Sequence, residues 1–358
     1  MNDDQRSPAL GPHLVGSRVV VRRVLRGKTG PSGGPALTDL LGVMESWGSG
    51  VATIRGASGE VSRVAIADIV SGKPVPPRPS VRHRVSAEQA ELFANASWPA
   101  MLTSSLGEWV LRASDGYTAR ANSVLAVGDP GVPFDAASAA VRAFYAEHQL
   151  PPWAQVVVGS GAHHSFGSAG WVPARPGEAD TLFQLASVAQ ALRAVRRVLP
   201  PVVPEVSMGT TATPAWLADD ERAQSHGRTA VTVLEGPDEV GFASVLTTPD
   251  GRAVSGGRTC GVPSLPKGRD HLIAKGRVAA GGATGDWVGV TSVWVSPGHR
   301  RQGLAYVVMA ALLGWAAERG ATTAYLQTRG DNPAALSLYE QLGFRTHHTY
   351  RYLVAPPT

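Results

Sequence analysis

Arg300, Arg301, Gln302 and Gly303 stand between an apolar strand and an apolar helix in the stretch "VWVSPGHRRQGLAYVVMAALLGWAAERGA", Val293 to Ala321. Helices usually open behind Ser, Thr, Asp or Asn, whose side chains cap the first free N–H groups. No such residue stands here, so the spacing predicts a helix start that something else must cap. Unpaired backbone N–H groups and the positive end of the helix dipole converge there, which is a binding site for an anion. Gly303 lets a ligand approach the backbone, Ala305 keeps the first turn uncrowded, and Arg300 or Arg301 supplies charge-assisted hydrogen bonds. A pyrophosphate fits these donors.

The turn is neither of the two common phosphate loops. It has no G-x-G-x-x-G and no G-x-x-x-x-G-K-[ST], and the other glycine-rich loop, "RGKTGPSGGP" from Arg26, has no Walker Gly-Lys-Ser/Thr placed before a helix and reads as a flexible barrel loop. The turn does fit R/Q-x-x-G-x-G/A through Arg300, Gly303 and Ala305. Before it, "GVTSVWVSP" ends in V-x-P. After it, "DNPAALSLYEQLGF" (Asp331 to Phe344) fits N-x-x-A-x-x-L-Y-x-x-x-G-F. In this order the motifs resemble those of the GNAT superfamily of N-acetyltransferases. The resemblance covers about Pro201 to Thr358 and implies a mixed seven-stranded sheet, splayed between its fourth and fifth strands to admit acetyl-coenzyme A.

The resemblance implies a role for each matching residue. Main-chain groups of Val293 and Val295 would pair with the pantetheine arm. The turn residues Arg300, Arg301, Gln302, Gly303, Leu304, Ala305 and Tyr306 would cradle the pyrophosphate, and a backbone N–H near Val295 would hold the oxyanion. Asn332 would contact the donor, although Pro333 behind it also marks an N-cap. Tyr339 would be the general acid that protonates the leaving thiolate, a task that suits a phenol; its other reading is an aromatic packed beside Leu338 and Phe344.

The general base is missing from the expected place. Where members that acetylate N-terminal amines carry a Glu five residues before the Asn, this chain has Gln327. Thr291 and Ser292 are poor bases, leaving Asp286, Glu318, His299, a water relay, or an amine that arrives neutral. Cys260 as an acyl-carrying nucleophile has no neighbouring His in sequence. It stands in "SGGRTCGVPSLPKGRD", a Gly/Pro-rich stretch of the kind that borders acceptor sites. The pairs His163-His164 and His347-His348 lack a third ligand at metal spacing, so no metal site is expected and solvated loop or strand-end roles are favoured.

The elements that must position these residues fall into three segments. Residues 1–73 hold short β-rich runs, Gly16 to Leu25, Leu40 to Gly50 and Val51 to Val70, broken by Gly and Ser turns; they predict a small SH3-like β-barrel. Residues 74–80 read as a Pro-rich linker. Residues 81–200 predict a helix from Ser86 to Ala94, strands at Trp109 to Ala113, Ala119 to Val127 and Ala154 to Val158, and a helix from Phe134 to Gln149. Residues 201–358 repeat that plan: Ser123 matches Ser292 and Ala154 matches Thr323 at the same offset of 169 positions. The fold class is therefore α/β, with tandem GNAT-like mixed sheets behind the barrel. The first copy is degenerate, since "VPFDA" (Val132 to Ala136) replaces the second copy's "HRRQGLA".

Composition supports folded domains, with 43% hydrophobic and 17% charged residues. The net charge is +5, with 33 basic residues against 28 acidic ones, and the basic residues are 29 Arg and 4 Lys spread without a basic run. Nucleic acid is thus the less favoured partner, open only through Arg22, Arg23, Arg26 and Lys28 on one barrel strand. One cysteine excludes an intrachain disulfide. The longest apolar stretch, Leu304 to Ala317, is shorter than the roughly 20 residues of a membrane span, and the first residues lack the basic and apolar regions of a signal peptide. The expectation is a cytoplasmic, monomeric or dimeric acetyl-coenzyme A-dependent N-acetyltransferase with one working site. Its acceptor is a primary amine on a small molecule or a protein. The alternative is a non-catalytic acyl-coenzyme A sensor or docking protein whose barrel binds a protein or nucleic acid.

Overall fold

The computed structural model describes residues 10–30, 33–56, 59–75, 81–247, 271–282 and 285–357. Cys260 and the whole of its Gly/Pro-rich stretch lie outside them. The chain divides into two compact units, Met1–Ser80 and Val81–Thr358.

The first unit is an antiparallel sheet of β1 (Arg18–Thr29), β2 (Pro35–Gly48), β3 (Val51–Arg55), β4 (Val61–Ala65) and β5 (Ile69–Pro74), in the order β4-β3-β2-β1-β5. Ser49 and Gly50, both with positive φ, make the tight turn that closes β2 on β3. Val19, Val21, Met44, Ile54 and Val64 form its core. The expected closed barrel is not found: among the described residues β4 and β5 remain the two edges. The loop expected from Arg26 is partly strand, since β1 runs to Thr29. On the wet face Arg22 pairs with Asp39 at 2.8 Å and Arg26 with Asp68 at 2.8 Å, so two of the four cations noted on this strand carry carboxylate partners.

The second unit begins with α1 (Ala87–Ala96), capped by Ser86, whose hydroxyl accepts from the N–H of Gln89 at 3.0 Å. There follow β6 (Leu102–Leu106), β7 (Trp109–Ala113), β8 (Val124–Leu125), α2 (Phe134–Glu147), β9 (Trp153–Val157), α3 (Gly161–Ser168), β10 (Val172–Pro173), β11 (Thr181–Ser187) and α4 (Val188–Val198). The remainder is β12 (Ser207–Gly209), α5 (Pro214–Leu217), α6 (Glu221–Glu235), β13 (Val240–Thr247), β14 (His271–Gly281), β15 (Trp287–Val295), α7 (Leu304–Glu318), β16 (Thr323–Arg329), α8 (Pro333–Gln341) and β17 (Arg345–Val354). The strand expected over Ala119 to Val127 shrinks to β8. Asn122 turns the chain before it, its amide oxygen accepting from the N–H of Ser114 at 2.7 Å and of Gly116 at 2.9 Å.

One sheet runs through both copies, in the order β12-β13-β14-β15-β16-β11-β17-β9-β8-β7-β6, with β10 on β17. Among the described residues only β15–β16 and β8–β9 are parallel pairs, one from each copy. Between them the copies exchange strands. β11, from the first copy, lies beside β16 of the second, while β17, the last strand, lies between β11 and β9. A cut between residues 200 and 201 therefore passes through one continuous sheet rather than between two.

Helix α7 is apolar on nearly every face because it is covered on both sides. The sheet supplies Val278, Val288, Val290 and Leu326, and α4 supplies Val188, Ala191 and Val195. Leu312 and Leu313 are fully buried in this cluster, each contributing about 1.5–3 kcal/mol of transfer free energy. On the opposite face α1 lays Ala90 and Ala94 over Phe183, Trp287 and Tyr325.

Candidate active site

Strands β15 and β16 pair from Trp287↔Thr323 to Val290↔Leu326 and then part. Beyond that point β15 bulges: on β14 the register moves two residues, from Lys275 to Arg277, while on β15 it moves three, from Trp294 to Thr291. Ser292 takes up the extra residue at φ 55°. The bulge turns main-chain groups near Val293 out of the ladder and into the gap that the parting strands open.

The fully buried Arg277 sits behind the bulge. It donates to the carbonyls of Leu234 (2.8 Å) and Ser97 (3.1 Å) and to Thr291 Oγ1 (3.4 Å). Burial pulls its guanidinium down to about 9, which leaves it a cation at neutral pH. Three acceptors and the face of Trp98, whose ring centroid lies 4.9 Å from the guanidinium carbon, hold that cation in place.

At the end of β15 the chain makes a single 3₁₀ turn, Pro297–His299, and reaches α7 through Arg301 at φ 63° and Gly303 at φ 80°. Gly303 is the N-cap and no side chain caps it, as the sequence leads one to expect. A Cβ at Gly303 would lie 3.2 Å from Pro200 Cδ, so both the conformation and the space require glycine. The two arginines differ. Arg300 donates from Nε to the Val295 carbonyl at 3.3 Å and so braces the strand end, whereas Arg301 and Gln302 are exposed beside the uncapped helix. Leu304 is buried in the core, Ala305 is half-buried, and Tyr306 ties α7 to α8 by donating to Gln341 Oε1 at 2.7 Å.

Asn332 adopts the N-cap role for α8, accepting from the N–H of Ala335 at 3.2 Å with Pro333 behind it. Tyr339 is buried against Phe344, ring centroids 5.8 Å apart. Its hydroxyl finds no hydrogen-bond partner among the described residues, and burial pushes the phenol up to about 12. It therefore remains a proton donor throughout the neutral range.

The three carboxylate or imidazole candidates named from sequence stand badly for a base. Asp286 precedes β15, at the other end of the strand from the bulge, about 20 Å away at 3.3 Å per residue. Glu318 closes α7, about 20 Å from its start. His299 is inside the turn. Gln327 is the first residue beyond the last β15–β16 pair, and its Oε1 is buried without a partner. Its Nε2 points to Glu91 Oε2 at 3.4 Å. Glu91, on α1 and only 2% exposed, also accepts from Gln155 Nε2 at 2.8 Å and lies 3.0 Å from His348 Nε2.

Sequence reading missed Glu91 because it lies in a helix without a motif, 236 positions from Gln327. It also misplaced His347 and His348. They are part-buried on β17, Nδ1 to Nδ1 at 2.8 Å, rather than solvated at a strand end. His163 and His164 open α3, with His164 exposed. Among the described residues no cluster of His, Cys, Asp and Glu could hold a metal, and no helix is long and apolar enough to cross a membrane.

Residues 178–353 match the family model described as "Probable histone acetyltransferase Rv0428c C-terminal". That match begins before β11, so it includes the strand and helix α4 that sequence repetition assigned to the first copy. The chain is 28% identical over 358 residues to "Probable histone acetyltransferase Rv0428c" of Mycobacterium tuberculosis, covering 95% of each. It is 26% identical over 266 residues to "Uncharacterized N-acetyltransferase YobR" of Bacillus subtilis, covering 73% of this chain and 96% of that one. A 77-residue stretch is 36% identical to the ribosomal protein bS18-alanine N-acetyltransferase of Escherichia coli, covering 21% of this chain and 52% of the enzyme. Among solved structures, a tandem GNAT protein from the clavulanic acid biosynthesis pathway aligns over 66% of this chain and 76% of its own, at 15% identity and TM-score 0.47. A GCN5-related N-acetyltransferase from Kribbella flavida aligns over 78% and 97%, at 19% and 0.46.

Proposed function

We propose that this chain, an acyltransferase, belongs to the GNAT N-acetyltransferase family and moves an acetyl group from acetyl-coenzyme A directly to a primary amine at one site in its C-terminal part. The observation that carries the reading is the coincidence, in one place, of the parting β15 and β16, the bulge at Ser292 and the uncapped α7 behind Gly303.

The residues present fit the donor. The free N–H groups at the start of α7, with Arg301 and Gln302 beside them, suit a pyrophosphate. The gap beside Val293 and Val295 suits an extended amide-bearing arm that adds main-chain hydrogen bonds to the exposed strand edge. Tyr339, neutral and without a hydroxyl partner among the described residues, supplies a proton to the departing sulfur. The first copy has Pro133 and Asp135 at the start of α2, an acidic and side-chain-crowded turn that repels an anion, which favours a single site.

Two of the relatives carry names that specify protein amines, a histone and the alanine of a ribosomal protein. A protein amine is accordingly the acceptor class to test first. The five-stranded N-terminal unit, whose strand order suits an SH3-like module, serves in this reading as an accessory docking element. The reaction is tested by following amine-dependent release of coenzyme A, with mass spectrometry of the acceptor. A mass gain of one acetyl group at an amine supports transfer, while saturable acetyl-coenzyme A binding without transfer to any amine offered supports the sensor reading.

A further inference from the structure

Glu91 is the meeting point of the two copies. Gln155 on β9 and Gln327 on β16, the strands that form the parallel pair in their respective copies, both donate to its Oε2. Its Oε1 meets His348 Nε2, His348 Nδ1 meets His347 Nδ1, and His347 Nε2 meets the Val85 carbonyl at 2.8 Å. Phe183 stacks on His348, centroids 4.6 Å apart, and fixes the ring.

Hydrogen-bond chemistry fixes the proton count of this chain. A carbonyl only accepts, so His347 Nε2 carries a proton; of two facing Nδ1 atoms, one carries a proton; and the contact between His348 and the carboxyl needs a third. With three protons the chain is complete and neutral, the carboxyl and the imidazole pair sharing one proton between them. With two protons one contact sets lone pair against lone pair and the chain carries one negative charge. The two-proton chain is thus a proton acceptor whose own geometry improves on protonation.

We infer that Glu91, backed by His348 and His347, is the general base of the transfer reaction, reached through Gln327. This rests on the acetyltransferase reading above. Gln327 stands at the mouth of the gap, and its buried, unpartnered Oε1 is an acceptor for an incoming ammonium. An ammonium held there loses a proton to Glu91, and the chain passes the proton on toward His347. The freed lone pair forms the C–N bond as the C–S bond breaks. The electron pair leaves with sulfur, which takes a proton from Tyr339, and the second N–H proton restores the tyrosine. The sum is an ammonium and a thioester converted to an amide, a thiol and one proton, which the chain returns to solvent.

The surrounding charges favour this role. Arg112, fully buried, donates to Gln155 Oε1 at 2.8 Å, so its cation reaches Glu91 through one amide and stabilises the two-proton form. Burial beside His348 holds His347 below the ordinary imidazole value, and burial beside Arg82 does the same for His83, which lies across from His347. The other ionisable neighbours are Arg120 and the phenols of Tyr325 and Tyr350; burial raises both phenols, keeping them neutral.

The test compares wild type, Glu91→Gln, Gln327→Met and the exchange variant Glu91→Gln with Gln327→Glu. Coenzyme A release with a lysine-containing peptide is measured against pH, and acetyl-coenzyme A binding is measured on each protein. Loss of the base should lower kcat/KM at neutral pH by about a hundredfold in Glu91→Gln, with the loss shrinking as pH rises and the free amine accumulates. The exchange variant, which moves the carboxylate by one side chain, should recover at least a tenth of the wild-type rate. A wild-type pH profile in Glu91→Gln, or a loss that neither high pH nor the exchange restores, overturns the inference. Gln327→Met, which leaves Glu91 with Gln155 and His348, must also slow the reaction. Imidazole NMR decides independently of any acceptor: His347 and His348 should titrate as one coupled pair that Glu91→Gln uncouples, and independent titration in wild type overturns the inference. Absent acetyl-coenzyme A binding by wild type would instead sink the acetyltransferase reading itself.

Discussion

Phe183 stands opposite Gln327 in the antiparallel β11–β16 ladder, so a strand from the first copy lies against the first residue of the gap of the second. A fragment of residues 201–358 lacks that strand and helix α4. It leaves β16 and α7 with uncovered apolar faces, and is expected to aggregate without a cooperative unfolding transition. Residues 81–358, which contain the whole second unit, should unfold cooperatively. Denaturant titration followed by circular dichroism distinguishes them, and a cooperative transition in the shorter fragment would contradict the exchange.

Gly303→Ala places a Cβ at φ 80°, 3.2 Å from Pro200. The left-handed conformation alone costs about 1–2 kcal/mol for a residue with a side chain. The expected result is a loss of that size in chemical denaturation, accompanied by weaker acetyl-coenzyme A binding because the helix start shifts.

Tyr339→Phe removes a hydroxyl that has no partner among the described residues while keeping the ring on Phe344. Stability should change by less than about 0.5 kcal/mol, and kcat should fall tenfold or more. Because burial holds the phenol up to about 12, this acid gives no falling limb in the rate below about pH 11. A thermal-shift measurement beside a pH–rate profile checks both halves.

Alkaline pH should unfold the protein through its tyrosines. Burial raises Tyr117, Tyr145, Tyr325, Tyr339 and Tyr350 above the ordinary phenol value of about 10. In the unfolded chain they ionise first, so above that value the folded state binds more protons than the unfolded one. Their stabilising contribution is complete below about pH 10 and is lost as pH rises toward the folded values. The melting temperature should decline from there, with phenolate absorbance appearing together with unfolding rather than before it.

What was legible in the sequence was local. The turn at Gly303 needs only its neighbours, and the Asn332-Pro333 start of α8 is a cap that adjacent residues specify. The offset between Ser123 and Ser292 identified the repeated plan. What escaped notice was long-range. Which copy lends β11 to which sheet edge depends on pairings such as Leu182↔Thr328 and Leu182↔Thr349, and both copies offer similar apolar strands to either edge. Glu91 escaped because its partners, Gln155, Gln327 and His348, come from three strands that only the assembled sheet brings together. The closed barrel failed for a related reason: spacing counts strands, but closure depends on whether β4 and β5 meet.

The measurement that bears most directly on the central claim is calorimetric titration of acetyl-coenzyme A into wild type and into the charge-reversed turn, Arg301→Glu with Gln302→Glu. Both side chains are exposed, so the fold should persist in the variant. The account predicts one equivalent bound by wild type and affinity at least tenfold weaker in the variant, as expected when a charge-assisted bond is lost. No binding by wild type, or equal affinity in the two proteins, would contradict it.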